Sequence, residues 1–143
     1  MIITYDEFDY KWLMDLPQQK RKQGNQSTSQ KYYYKDLITA FDIETTYIEE
    51  IDQSVMYIWQ WQFGDKCTVI GRTWYELRIF FENLKEHLLD DRLVIFVHNL
   101  SFEFQFLSGV FHFAPDDVFC MDHRKVLKAL YSDTFEFRCS YIH

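Results

Sequence analysis

Leu93-Val94-Ile95-Phe96-Val97 is the clearest buried-strand signal in the chain, five apolar residues in a row. Such a run suits a strand covered on both faces, as in parallel sheets. Leu37-Ile38-Thr39-Ala40-Phe41 reads the same way. Between the two lies a helical pattern. Thr73-Trp74-Tyr75-Glu76 is a capping box, in which a Thr hydroxyl and a Glu three residues on satisfy the exposed amides of a helix start. Leu77, Phe80, Phe81, Leu84 and Leu88 carry the helical period to about residue 89. A strand, a long helix and another buried strand usually place the two strands parallel in one sheet. The prediction is an α/β domain with a mixed sheet.

The remaining punctuation agrees. Residues 55–63 and 66–70 read as a β-hairpin turning at Gly64-Asp65. Asp90-Asp91 closes the first helix, and residues 100–111 read as a second. Residues 126–131 and 135–141 are two further strands joined by Ser132-Asp133-Thr134. Residues 1–34 are expected to form an N-terminal arm with a polar basic linker, and 35–143 the domain. Within the arm, QQKRKQGNQSTSQK reads as a mobile, solvated linker, or as a basic strip near a phosphate backbone.

Composition narrows the class. A chain of 143 residues allows one domain, and 48% hydrophobic content, with 14 Phe and 10 Tyr, supplies a core. The net charge of −7 excludes a polybasic protein that captures nucleic acid by bulk charge. It does not exclude a nuclease, whose metal-binding carboxylates are themselves negative. Three separated cysteines without C-x-x-C argue against a disulfide framework or a zinc site. The acidic N-terminus is no secretory signal, and no run suits a bilayer. A soluble protein of a reducing cytoplasm is the expectation.

Asp42 and Glu44 close the first apolar strand, in Phe41-Asp42-Ile43-Glu44-Thr45-Thr46. Residues two apart on a strand share a face, so both carboxylates point one way and Ile43 the other. Two hard oxygen ligands there suit Mg²⁺ or Mn²⁺. Spacing alone is weak, because 22 acids in 143 positions give about three such pairs by chance. What separates this pair is its place after a buried strand. The second constellation is His98-Asn99-Leu100-Ser101-Phe102-Glu103, where a strand hands over to a helix. If the two apolar strands are parallel neighbours, their C-terminal ends meet, and Glu103 projects toward Asp42 and Glu44. The blander reading has Asn99 as a helix cap, Glu103 at the positive end of a helix dipole and Phe102 in the core.

The other reactive residues carry less. His98 could contact phosphate, although a histidine ending a strand more often caps or packs. His87, His112 and His123 lack metal-ligand spacing, Cys139 has no base nearby, and Trp59, Trp61 and Trp74 read as core aromatics.

Taken together, FDIETT resembles the first exonuclease motif (Asp-x-Glu) of family B DNA polymerases. HNLSFEFQFL resembles the second (Asn-x-x-x-Asp in most members), and the greatest similarity is to the protein-primed branch of bacteriophages and linear organellar plasmids. YYYKDLITAFDIETT and FEFRCSYIH also look like phage members, so the resemblance spans roughly residues 31–143. It implies an RNase H-like (DnaQ-like exonuclease) mixed β-sheet flanked by helices, acting as a 3′–5′ proofreading exonuclease with two Mg²⁺ or Mn²⁺ ions. Asp42, Glu44 and Glu103 are then the catalytic residues, Asp42 and Glu44 as metal ligands and Glu103 bound to metal directly or through water. Asn99 and Phe102 contact the single-stranded 3′ end, Thr45 lies beside the terminal nucleotide, and His98 stays a candidate DNA contact on its own reading. The implied partners are the 3′ end of single-stranded DNA, the polymerase palm, fingers and thumb, and terminal protein, with no membrane, in a host cytoplasm. Two departures stand out. Glu103 replaces the commoner Asp, and no Tyr-x-x-x-Asp follows the last strand, since Tyr131 meets Phe135 four residues on. Polymerase motifs are absent too. The chain therefore looks C-terminally truncated, part of a larger enzyme, and the alternative is a non-catalytic module that binds single-stranded DNA or a replication partner.

Overall fold

Strand β3 (Lys31–Ile48) runs parallel to β6 (Arg92–Val97), with Ile38 opposite Val94 and Ala40 opposite Phe96. This is the pairing that the two apolar runs predict. In the computed structural model, which describes residues 1–22, 31–121 and 125–140, they form the middle of a nine-stranded mixed sheet. The other strands are β1 (Ile2–Thr4), β2 (Gln18–Lys22), β4 (Gln53–Phe63), β5 (Cys67–Gly71), β7 (Val118–Met121), β8 (Lys125–Tyr131) and β9 (Phe135–Cys139). The order is β1-β5-β4-β3-β6-β9-β8-β7, and β2 pairs with β3 apart from this path. The expected hairpins are β4–β5 and β8–β9, and β9 lies parallel to β6.

Among the described residues, three α-helices accompany the sheet: α1 (Tyr10–Asp15), α2 (Trp74–Leu88) and α3 (Leu100–Val110). The capping box opens α2: Thr73 Oγ1 accepts from the Glu76 amide at 3.1 Å, and Glu76 Oε1 accepts from the Thr73 amide at 3.0 Å. The inner face of α2 (Leu77, Phe80, Phe81, Leu84, Leu88) packs on Trp59, Trp61 and Phe63, all fully buried. Each such side chain contributes roughly 1.5–3 kcal/mol. Phe41 and Ile43 lie on this covered face with Leu93, Ile95, Phe135 and Phe137. Gly71 sits opposite Trp59, and a Cβ there would come within 2.3 Å of the indole, so any side chain at this position must push the Trp59 ring aside.

The first 22 residues pack on the same domain. β1 adds to β5 in parallel, and Phe8 and Leu13 are buried against α2 and its neighbours. Buried Lys35 holds the end of α1: its Nζ donates to the carbonyls of Met14 and Leu16, both at 3.1 Å, and pairs with Asp91 at 3.6 Å. Of the stretch read as a polar linker, residues 18–22 form β2, and residues 23–30 lie outside the described residues. His123 and the tail 141–143 lie outside them as well.

Candidate active site

Phe41 and Ile43 are buried while Asp42 and Glu44 are exposed, as strand alternation requires. The register of β3 with β6 is recorded as far as Ala40. The carboxylates thus stand just past the paired segment, where β6 ends and the chain turns into α3. That turn brings Glu103, four residues after Asn99, back to β3 at Ile43. The strand does not close at Asp42 and Glu44, as the apolar run suggests, but continues to Ile48 because β4 keeps pairing with it.

Glu103 is 5% exposed. Burial pushes its pKa up to about 8, with the charge on Asp42 adding to the rise, the Ile43 backbone amide opposing it, and Glu44 adding a smaller part. The three acids therefore share one electrostatic site, although some sixty residues separate Asp42 from Glu103. Glu103 Oε2 is buried without a hydrogen-bond partner. A carboxylate oxygen in that position costs free energy until something positive meets it.

Among the described residues no three His, Cys, Asp or Glu side chains are gathered tightly enough to form a ready metal cage. Mg²⁺ does not need one. It binds through one or two carboxylates, keeps several waters, and takes further oxygens from substrate phosphates. The donor set here is all carboxylate, with one orphaned buried oxygen, and fits a hard divalent cation.

The other predicted residues fall around this centre. Asn99 occupies the N-cap of α3, but its side chain makes no capping hydrogen bond and the residue is exposed. Its carbonyl does the local work, accepting from the amides of Phe102 at 3.1 Å and Glu103 at 3.3 Å. Phe102 is 39% exposed rather than part of the core, with its ring 5.4 Å from Phe106. Thr45 is half-buried. Exposed His98 lines a cavity of about 310 Å³ together with Asp42, Gln60, Gln62 and Phe96. Gln60 lies directly across from Asp42 in β4 and was not singled out from the sequence. Only the β4 register, invisible in composition, would have flagged it.

The comparisons follow this geometry. The family described as 3′-5′ exonuclease matches residues 20–134. No curated protein matches the sequence. Phi29 DNA polymerase complexed with single-stranded DNA shares the fold with a TM-score of 0.52 at 12% identity, over 73% of this chain and 21% of that one. Phi29 DNA polymerase complexed with primer-template DNA and incoming nucleotide substrates gives a TM-score of 0.51 at 12% identity, over 73% and 20%. The chain thus spans about a fifth of the length of those polymerases. No helix among the described residues is long and apolar enough to cross a membrane.

Proposed function

The chain belongs to the 3′–5′ exonuclease family, and from that premise we propose that it removes nucleotides from the 3′ end of single-stranded DNA as the proofreading module of a protein-primed family B polymerase. The observation that carries the reading is the orphaned Glu103 carboxylate, buried beside Asp42 and Glu44. Exonuclease domains of this kind generally use divalent metals. Asp42, Glu44 and Glu103 would hold Mg²⁺ or Mn²⁺, and the ion would there supply Lewis-acid activation of water and charge neutralisation at the leaving oxygen in phosphodiester hydrolysis.

The chain's own side chains divide the remaining work. Asp42 and Glu44, exposed on β3 just past its pairing with β6, face the phosphate to be cut. Glu103 is fixed by its burial, so its carboxylate needs little reorganisation on binding. Phe102 offers an exposed ring to an unpaired base, and stacking of that kind ignores base identity, as proofreading demands. Asn99, whose amide is free of capping duty, and Thr45 border the terminal nucleotide, and His98 lies within reach of its phosphate. The palm, fingers and thumb of the polymerase, and terminal protein, are the partners this reading implies.

The test is digestion of a 5′-labelled single-stranded oligonucleotide with Mg²⁺ or Mn²⁺, comparing the chain with Asp42→Ala. The reading expects a ladder shortening from the 3′ end, lost in the variant. A folded chain that binds the oligonucleotide without cutting it would instead give the non-catalytic module.

A further inference from the structure

The β3–β4 ribbon runs on past the candidate site. Beyond Glu44, β3 continues through Thr45, Thr46, Tyr47 and Ile48, paired with Met56, Val55, Ser54 and Gln53. The register jumps between Glu44, opposite Ile58, and Thr45, opposite Met56. Tyr57 is therefore the extra residue of a bulge in β4, while β3 is uninterrupted. Its side chains keep alternating, so Ile43, Thr45 and Tyr47 share a face. Met56, across from Thr45, packs against the core, which identifies that face as the one on which the helices lie. Along the strand, Tyr47 stands about 7 Å beyond Thr45.

Tyr47 is 58% exposed, so its ring does little for the core. Its hydroxyl donates to Asp52 near the ribbon tip, which ties the ring to the ribbon. Exposed aromatic rings thus occur on both elements that meet at Glu103, Tyr47 on the ribbon and Phe102 on α3. The tip itself carries Glu49, Glu50 and Asp52, charges that repel a phosphate backbone. At this end of the ribbon the ring face is the feature that suits nucleic acid.

We propose that Tyr47 is a positioning residue that stacks on a base two or more nucleotides upstream of the 3′-terminal nucleotide, in an unpaired strand led toward Glu103 between the β3–β4 ribbon and α3. The assignment rests on the exonuclease reading above. Losing a stacked ring weakens single-strand binding by about tenfold.

The experiment measures kcat and KM of the full chain, Tyr47→Phe and Tyr47→Leu on a decathymidylate and on a dinucleotide. Melting curves first verify that both variants fold. The proposal expects Tyr47→Leu to raise KM about tenfold on the decamer alone, with kcat unchanged and Tyr47→Phe within about twofold of the parent. An unchanged decamer KM in Tyr47→Leu, or equal rises on both substrates, overturns it. If the parent chain cuts nothing, the exonuclease reading fails on its own account, and decathymidylate binding by fluorescence anisotropy decides the contact. Weaker binding in Tyr47→Leu than in Tyr47→Phe then supports the stacking role, and equal binding overturns it.

Discussion

Glu103 on α3 and Asp42 on β3 face each other electrostatically, and after burial itself the Asp42 charge is the largest influence on the Glu103 carboxyl. Neither residue makes a strong case alone. Their meeting beyond the C-terminal end of β6 makes a candidate site of two common sequence features.

The strain of that meeting is measurable. A carboxyl whose pKa is raised in the folded state gives stability that is complete below its unfolded value and lost as pH rises through about 8. Glu103→Gln removes the burden of ionisation. In EDTA the variant should melt above the parent by about 3 °C or more at pH 8.5, with a smaller difference at pH 5. Equal melting points at both values would mean that Glu103 is not strained.

Glu136 behaves in the opposite way. It is fully buried in β9, where it accepts from the Tyr34 hydroxyl at 2.7 Å and from Arg138 Nε at 2.6 Å, with Lys128 at 3.6 Å. Burial works to raise its pKa, but the Tyr34 hydrogen bond, Arg138 and Lys128 together hold it below the ordinary value. Stability from this group is therefore present above the unfolded carboxylate range and lost as pH falls through the lowered folded value. Glu136→Gln should cost about 3 kcal/mol in urea unfolding at pH 7, and much less at pH 3. A loss that is the same at both values would contradict the assignment.

Gly71 tests the packing under β4. With a Cβ 2.3 Å from the Trp59 ring, Gly71→Ala must displace a fully buried indole. Overpacking of this kind costs about 1–3 kcal/mol, read as a lower urea midpoint. A neutral substitution would show that β4 and β5 are looser than their register implies.

The central strands, both hairpins and α2 were legible because apolar runs and a capping box are local signals. The N-terminal elements were not. α1 has six residues, fewer than two turns, so its stability comes from Leu13 and Lys35 contacts made far along the chain. The sequence marks only 37–41 of β3, because the strand runs on in polar residues where its outer face is exposed. Within the site, the Asp42–Glu44 alternation followed from strand geometry. The burial of Glu103 did not, since it depends on how α3 lies against β3 at Ile43. Glu136 shows the same limit: its place between Phe135 and Phe137 says nothing of Tyr34, a hundred residues earlier, which accommodates it.

The most direct test of the site is Mn²⁺ binding followed by electron paramagnetic resonance, comparing the chain with Asp42→Asn and Glu103→Gln. If the three carboxylates serve one divalent centre, the parent binds Mn²⁺ and each substitution weakens binding by at least about tenfold. Undiminished binding in both variants, or none by the folded parent, would contradict a shared metal site.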